Sequence, residues 1–202
     1  MESSVKKYGI FWIPSALICD KINQIKQAVI QLDSEADYVY HPVHSTIFLF
    51  NSKAQPEEVE VKFKKLLEQK SAFELIINDW KIFHNDLITG KHTLTWGVEL
   101  NQSFSNLQKS IAESIITYPV IPIEYPVCWK DDYELSYKKW GFPFVGAHWI
   151  PHITVASVTS ETLATNIQQE FPVHPQKEIC SEIALFLISG HKHTHITSYH
   201  LK

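Results

Sequence analysis

Arginine is absent: all 18 basic residues of this 202-residue chain are lysines. Any phosphate bound here is therefore held without the planar, bidentate guanidinium fork. Cationic charge is thin as well, with a formal net charge of −4 and a pI near 6.2. This excludes a protein that grips duplex DNA by neutralising many phosphates, and leaves small ligands and RNA ends open. Cysteine is scarce. Cys19, Cys128 and Cys180 form an odd set without short spacings, which fits neither a disulfide framework nor a zinc motif and points to a reducing cytoplasm. No apolar run approaches the ~20 residues of a membrane span. Lys6-Lys7 before the apolar run Tyr8 to Cys19 imitates a secretory signal, but Pro14 interrupts it, Asp20-Lys21 follows without a small-residue cleavage site, and Ile18 is too bulky for lipoprotein-type processing. A Gly-rich phosphate loop and a Gly-x-Ser-x-Gly elbow are both missing, so nucleoside-triphosphate and serine-hydrolase chemistries have no foothold.

What the chain does have is histidine, 11 residues of it, in a sequence that is 45% hydrophobic and 20% charged. That composition supports one domain spanning residues 1–202, with a substantial core. The run from Gly9 to Ile13 predicts a buried strand closed by Pro14. Ile18, Ile22, Ile25, Val29 and Leu32 follow at helical spacing, then Ser45 to Phe50 as a strand. Pro56-Glu57-Glu58 opens a second helix with Val59, Phe63 and Leu66 inward. Phe73 to Ile77 and Trp80 to Phe83 predict two short strands around an Asn78-Asp79 turn. The second half repeats the order: a strand over Thr93 to Leu100, a helix marked by Phe104, Leu107, Ile111 and Ile115, and a strand over Ile150 to Val155. A helix marked by Leu163, Ile167 and Phe171 comes next, then two strands from Ile183 and Ile196. The pattern predicts an internal duplication with two lobes, roughly residues 1–90 and 91–202.

Between Thr117 and Pro151 the second half carries an insertion without clear periodicity, holding Trp129, Tyr133, Tyr137, Trp140, Phe142, Phe144 and Trp149. A long loop inside a compact domain is usually functional. Trp129, Tyr137, Trp140 and Phe144 are candidates for stacking on a nucleobase, the alternative being aromatics that cover a sheet face.

The chemistry is concentrated at the third element of each half. The first reads His44-Ser45-Thr46-Ile47 and the second His152-Ile153-Thr154-Val155, both of the form His-x-Thr-aliphatic. On a strand, residues two apart share a face, so each His is aligned with its Thr. Two imidazoles facing one cleft can act as base and acid near neutral pH, and stiff Thr hydroxyls can donate to non-bridging phosphate oxygens. Neither metal nor cofactor is required. Chance alone yields some His-x-Ser/Thr matches among 11 His. His195-Ile196-Thr197-Ser198 is one such, with a polar fourth residue outside the repeated position. Recurrence at equivalent places carries the signal.

These tetrads resemble those of the 2H phosphoesterase superfamily, in particular its bacterial RNA 2′,5′-ligase or RNA 2′,3′-cyclic phosphodiesterase branch. Pro151 before His152, Trp96-Gly97-Val98 and the closing pair of strands add to the likeness. The resemblance implies a bilobal, pseudo-two-fold α+β fold, with antiparallel sheets around a V-shaped central cleft and helices outside. It implies that His44 and His152 are catalytic and that Thr46 and Thr154 bind phosphate. It also implies hydrolysis of a 2′,3′-cyclic phosphate or 2′,5′-type phosphodiester of a nucleotide or RNA end; a cytoplasmic location and a monomer are separate expectations. A non-catalytic nucleotide or RNA-end binding module with the same cleft is the alternative. The sequence departs from the branch just past the second tetrad, where many members carry a basic residue and this chain reads Ala156-Ser157. Lys138 and Lys139 are candidates to replace that charge, against the reading of solvated surface lysines. His148 shares the strand parity of His152 and is a candidate for the cleft edge, against a structural reading. His191-Lys192-His193-Thr194-His195 follows Gly190 between two strands and reads as an exposed hairpin rather than a metal site.

Overall fold

The computed structural model describes residues 4–116, 120–124 and 131–202. Its strands are β1 (Lys6–Ile13), β2 (Ser45–Ser52), β3 (Phe73–Phe83), β4 (His92–Val98), β5 (His152–Val158), β6 (Gln176–Cys180), β7 (Glu182–Ser189) and β8 (Lys192–His200). The helices are α1 (Ala16–Leu32), α2 (Pro56–Leu67), α3 (Gln102–Ile115), α4 (Asp131–Trp140) and α5 (Glu161–Glu170), with a 3-10 turn at Gly146–His148. No helix among the described residues is long and apolar enough to cross a membrane.

All strand pairings are antiparallel, in the order β6-β3-β4-β5-β2-β1-β7-β8. The centre of this order is its thinnest point: β2 and β5 share a single bridge, Ser45 to Ile153. Four strands lie on each side of that seam. α1 and α5 back the β5 side, and α2 and α3 back the β2 side. Each half of the chain thus lends elements across the seam: β3 from the first half pairs with β4, and β7 from the second pairs with β1.

Alternation along β1 shows how the sheet separates core from cleft. Tyr8, Ile10 and Trp12 are fully buried against the helices, and Lys7, Gly9 and Phe11 face the other way. α1 inserts Ile18, Ile22, Ile25 and Val29 into that core, while Leu32, at the end of the stripe, is 57% exposed because the helix stops at Asp33. Burying each large aliphatic side chain contributes roughly 1.5–3 kcal/mol. α2 starts as predicted: Pro56 occupies its first turn, and the Glu58 carboxylate accepts the Gln55 N–H at 3.0 Å in a capping box. Its inner face is Val59, Phe63 and Leu67, with Leu66 half-buried beside them.

Two expectations are corrected. Phe73 to Phe83 is one strand rather than a hairpin: Ile77 pairs with Val98 and Trp80 with Trp96, so Asn78 and Asp79 form a bulge opposite Gly97. Gly97 lies beneath the bulge, and a β-carbon there would meet the Asp79 carbonyl oxygen at 3.4 Å, an ordinary contact. The insertion also holds regular structure, with α4 and the 3-10 turn folded against the body of the protein. The Ile123 N–H donates to Gly141 at 2.9 Å and Tyr137 Oη donates to the Ile123 carbonyl at 2.6 Å. Trp129 and Cys128 lie outside the described residues.

Candidate active site

Both tetrads sit at the seam. Pairing of Ser45 with Ile153 sets the register in which His44 stands opposite Thr154 and Thr46 opposite His152. All four alternate away from the buried Ser45 and Ile153, and all four line one cavity of about 550 Å³ on the concave side of the sheet.

The fourth residue of each tetrad has a matching structural task. Between Ile10 and Phe11 the β1 partner jumps from Phe48 to Thr46, which leaves Ile47 as a bulge. Between Leu94 and Thr95 the β4 partner jumps from Ala156 to Thr154, which leaves Val155 as a bulge. Ile47 and Val155 are both fully buried. The aliphatic residue therefore anchors a bulge that turns the His-x-Thr face toward the cavity, and it does so identically in both halves.

The histidines are also held alike. His44 Nδ1 donates to the Pro42 carbonyl at 2.7 Å, and His152 Nδ1 donates to the Ile150 carbonyl at 2.7 Å. A carbonyl only accepts, so each ring carries its proton on Nδ1 and presents the lone pair of Nε2. Burial lowers both imidazoles below the ordinary range, opposed in each case by that backbone hydrogen bond. Their surroundings then differ. His44 is pushed down to about 3, with His193, Lys26 and His41 adding to the effect of burial. His152 faces Lys81, which lowers it further, and Asp86, which raises it.

Supports around the pair come from residues without a sequence motif. Phe11 stacks on His44, with centroids 3.9 Å apart and planes 25° apart, and Phe83 meets His152 edge-on at 5.4 Å. Buried Lys26 donates to the carbonyls of Tyr38 (3.2 Å) and His41 (2.6 Å), fixing the loop that leads into β2; Tyr38 in that loop has φ 67°. Burial drops the Lys26 ammonium to about 8. Buried Gln108 on α3 donates to the carbonyls of Ile47 (3.3 Å) and Phe144 (3.0 Å) and accepts from the Gly146 N–H at 2.9 Å. It joins the bulge of β2 to the insertion. Trp149 Nε1 makes a second tie, to the Thr46 carbonyl at 2.9 Å.

Of the other predicted site residues, Phe144 and His148 line the cavity, with Tyr133 in contact with both rings. Tyr137, Trp140, Lys138 and Lys139 do not line it. Tyr137 points its hydroxyl at Ile123, Trp140 packs on the core, Lys138 pairs with Glu134 at 2.6 Å, and the Lys139 ammonium lies 4.4 Å over Trp140. Ala156 and Ser157, the positions just past the second tetrad, are fully buried. Thr93 Oγ1 donates its single proton to the Asp86 carboxylate at 2.6 Å and accepts from Ser157 Oγ at 2.9 Å. The cation on the lining is instead Lys7, from β1. Residues 191–195 do form an exposed hairpin between β7 and β8, with one exception: His193 is half-buried, 5.8 Å from Phe11, 4.4 Å from His41 and 5.7 Å from His44 between ring centroids. Sheet curvature brings β8 over the cleft, which no local pattern announces.

No family profile and no curated protein matches the sequence. Solved structures do. E. coli LigT complexed with 3′-AMP superposes with a TM-score of 0.60 at 12% identity, over 98% of this chain and 99% of that one. TT0787 of Thermus thermophilus gives 0.61 at 14% identity, over 96% and 97%. A structure described as a phosphoesterase gives 0.55 at 10% identity, over 98% and 99%. The chain shares the fold of LigT, TT0787 and this phosphoesterase over nearly its whole length.

Proposed function

We propose that the cavity is the active site of a phosphodiesterase that hydrolyses a 2′,3′-cyclic phosphate or a 2′,5′-type phosphodiester of a nucleotide or RNA end. One observation carries this reading: two His-Thr pairs cross at a single bridge, each imidazole with its Nδ1 proton tied to the carbonyl two residues earlier. In the proposed step His44 Nε2 takes a proton from water, and the water oxygen forms a bond to phosphorus. The bond from phosphorus to the ribose oxygen breaks, and His152 Nε2 delivers a proton to that oxygen. Thr46 and Thr154 donate to the non-bridging oxygens as charge builds. The assignment of roles starts from the surroundings: burial, His193, Lys26 and His41 all favour a neutral His44, the base, whereas at His152 burial and Lys81 also favour the neutral ring but Asp86 opposes them, which makes His152 the better candidate for the acid. A bound phosphodiester anion pulls His152 further toward its charged form. LigT has been crystallised with 3′-AMP, NADP+ and ATP, which makes a nucleotide the natural first ligand to try.

The test is hydrolysis of adenosine 2′,3′-cyclic phosphate in excess EDTA, expected to give a bell-shaped pH profile and to fall by at least ~100-fold in His44→Ala and His152→Ala. Unchanged rates in both variants would overturn the assignment. Tight nucleotide binding without turnover across 2′,3′-cyclic and 2′,5′-linked substrates would make the protein a binding module instead.

A further inference from the structure

The sheet leaves one wall of the cleft with a chemistry that the hydrolytic step does not use. Lys7 on β1 pairs with Ile188 on β7, and Ile188 pairs with His193 on β8, so Lys7 and His193 belong to one cross-strand row on the cavity face. His191 and His41 complete the wall: His41 lies 4.4 Å from His193 and 6.1 Å from His191 between ring centroids. Asp86 and Glu124 line the cavity elsewhere, which gives the cleft an electrical polarity.

We propose that His41, His191, His193 and Lys7 form a second anion subsite, which takes a phosphate on the 5′ oxygen of the nucleotide whose 2′ or 3′ phosphate lies between the tetrads. The proposal rests on the hydrolytic reading for the position of the reacting phosphate. Its own support is separate. The His193 ring is 5.7 Å from the His44 ring, so groups bound at the two places fall within one nucleotide. A metal ion is the other ligand that clustered imidazoles can take, but among the described residues no three His, Cys, Asp or Glu side chains converge to hold one. The charged neighbours favour an anion. Lys7 lines the wall and Lys26 lies beneath it, bonded to the His41 carbonyl, whereas Asp37, the acid that acts on His41, is paired with Lys91 at 2.9 Å. In a chain without arginine, imidazoles and lysine are what remains for such a site.

Burial and mutual repulsion hold His41 down to about 4, and burial also lowers His193. An entering phosphate reverses that balance, so binding takes up protons. Calorimetric titration at pH 6 with 3′-AMP and adenosine 3′,5′-bisphosphate reads the subsite without turnover. The bisphosphate is expected to bind about tenfold tighter, with an enthalpy that varies with buffer ionisation. That advantage should shrink to within about twofold in the His191→Gln/His193→Gln double variant and in Lys7→Met, whose exposed or half-buried side chains the core does not need. Equal affinities in the wild type, or an advantage that survives both variants, would overturn the subsite. A dinucleotide ending in a 3′-phosphate forms a third arm: sharing the advantage identifies an internal diester as the occupant, and lacking it identifies a terminal 5′-monoester. Failure of 2′,3′-cyclic hydrolysis while the bisphosphate advantage persists sinks the hydrolytic reading and leaves the subsite standing.

Discussion

Phe11 lies flat against His44, 3.9 Å between centroids, and it can do so because residue 9 is glycine. A β-carbon at Gly9 would collide with the outer edge of the Phe11 ring. β1 therefore contributes to the proposed base through a residue pair that no motif marks. Phe11→Ala is expected to open His44 to water and raise its imidazole from about 3 toward the ordinary value near 6.5. An NMR pH titration of the His44 ring proton reads this directly. Gly9→Val should produce a smaller rise in the same direction by displacing the ring, and an unchanged His44 titration in both variants would refute the coupling.

Lys26 makes a prediction whose sign runs opposite to that of a surface lysine. Its folded-state pKa is about 8 against an ordinary 10.5, so between these values the unfolded chain binds more protons and stability rises with pH. At neutral pH the buried charge costs up to about 3 kcal/mol relative to an unburied one, set against its two bonds to the carbonyls of Tyr38 and His41. Denaturant unfolding from pH 7 to 10.5 should show a rise in the wild type that is missing in Lys26→Met. The variant, with both carbonyls unpaired, should also lose turnover through disorder in the loop before His44.

Histidine burial predicts the acid limb. His41 and His44 are held at about 4 and about 3, while in the unfolded chain they titrate near 6.5. The unfolded state binds more protons across that window, so stability is full above pH 6.5 and declines as pH falls toward 4. The melting temperature should drop over this range, with a shallower slope in His41→Phe, whose ring volume still fills the space beside Tyr38 and His193. Equal slopes in the two proteins would place the acid sensitivity elsewhere.

The proposed site's centre was legible in the sequence and its walls were not, for a physical reason. His44-x-Thr46 and His152-x-Thr154 recur because a strand repeats every two residues, and a local pattern can display that period. The helices α1 and α2 showed through for the same reason, at their own period. His193, Lys7 and Phe11 join the cleft through pairings between β1, β7 and β8, which bring together the two ends of the chain. No window of sequence contains them together. Asn78-Asp79 misled because its turn-forming composition serves a bulge equally well. Trp140 misled because an aromatic next to a motif has the same composition whether it faces ligand or core.

Gln108 is the test of how the insertion and the first tetrad are joined. Its amide, itself fully buried, serves the carbonyls of buried Ile47 and half-buried Phe144 and the N–H of exposed Gly146. Gln108→Leu keeps the volume and removes every partner, so about 2–4 kcal/mol of stability should be lost, seen as a lower urea midpoint at unchanged m-value. A stability change below about 0.5 kcal/mol would show that these bonds are replaced by water.

Asp86 separates the two histidines most directly, since it raises His152 and is not among the groups acting on His44. Asp86→Asn preserves an acceptor for Thr93 Oγ1, now bonded to Asp86 at 2.6 Å, and removes the negative charge. The His152 pKa must then fall. If His152 is the acid, activity requires its protonated form, and the limb of the pH profile that declines with rising pH moves to lower pH. If His152 were the base, activity would require its neutral form, and the limb that rises with pH would move to lower pH instead. One pH profile of the Asp86→Asn variant on adenosine 2′,3′-cyclic phosphate therefore assigns both roles, because only one limb can move.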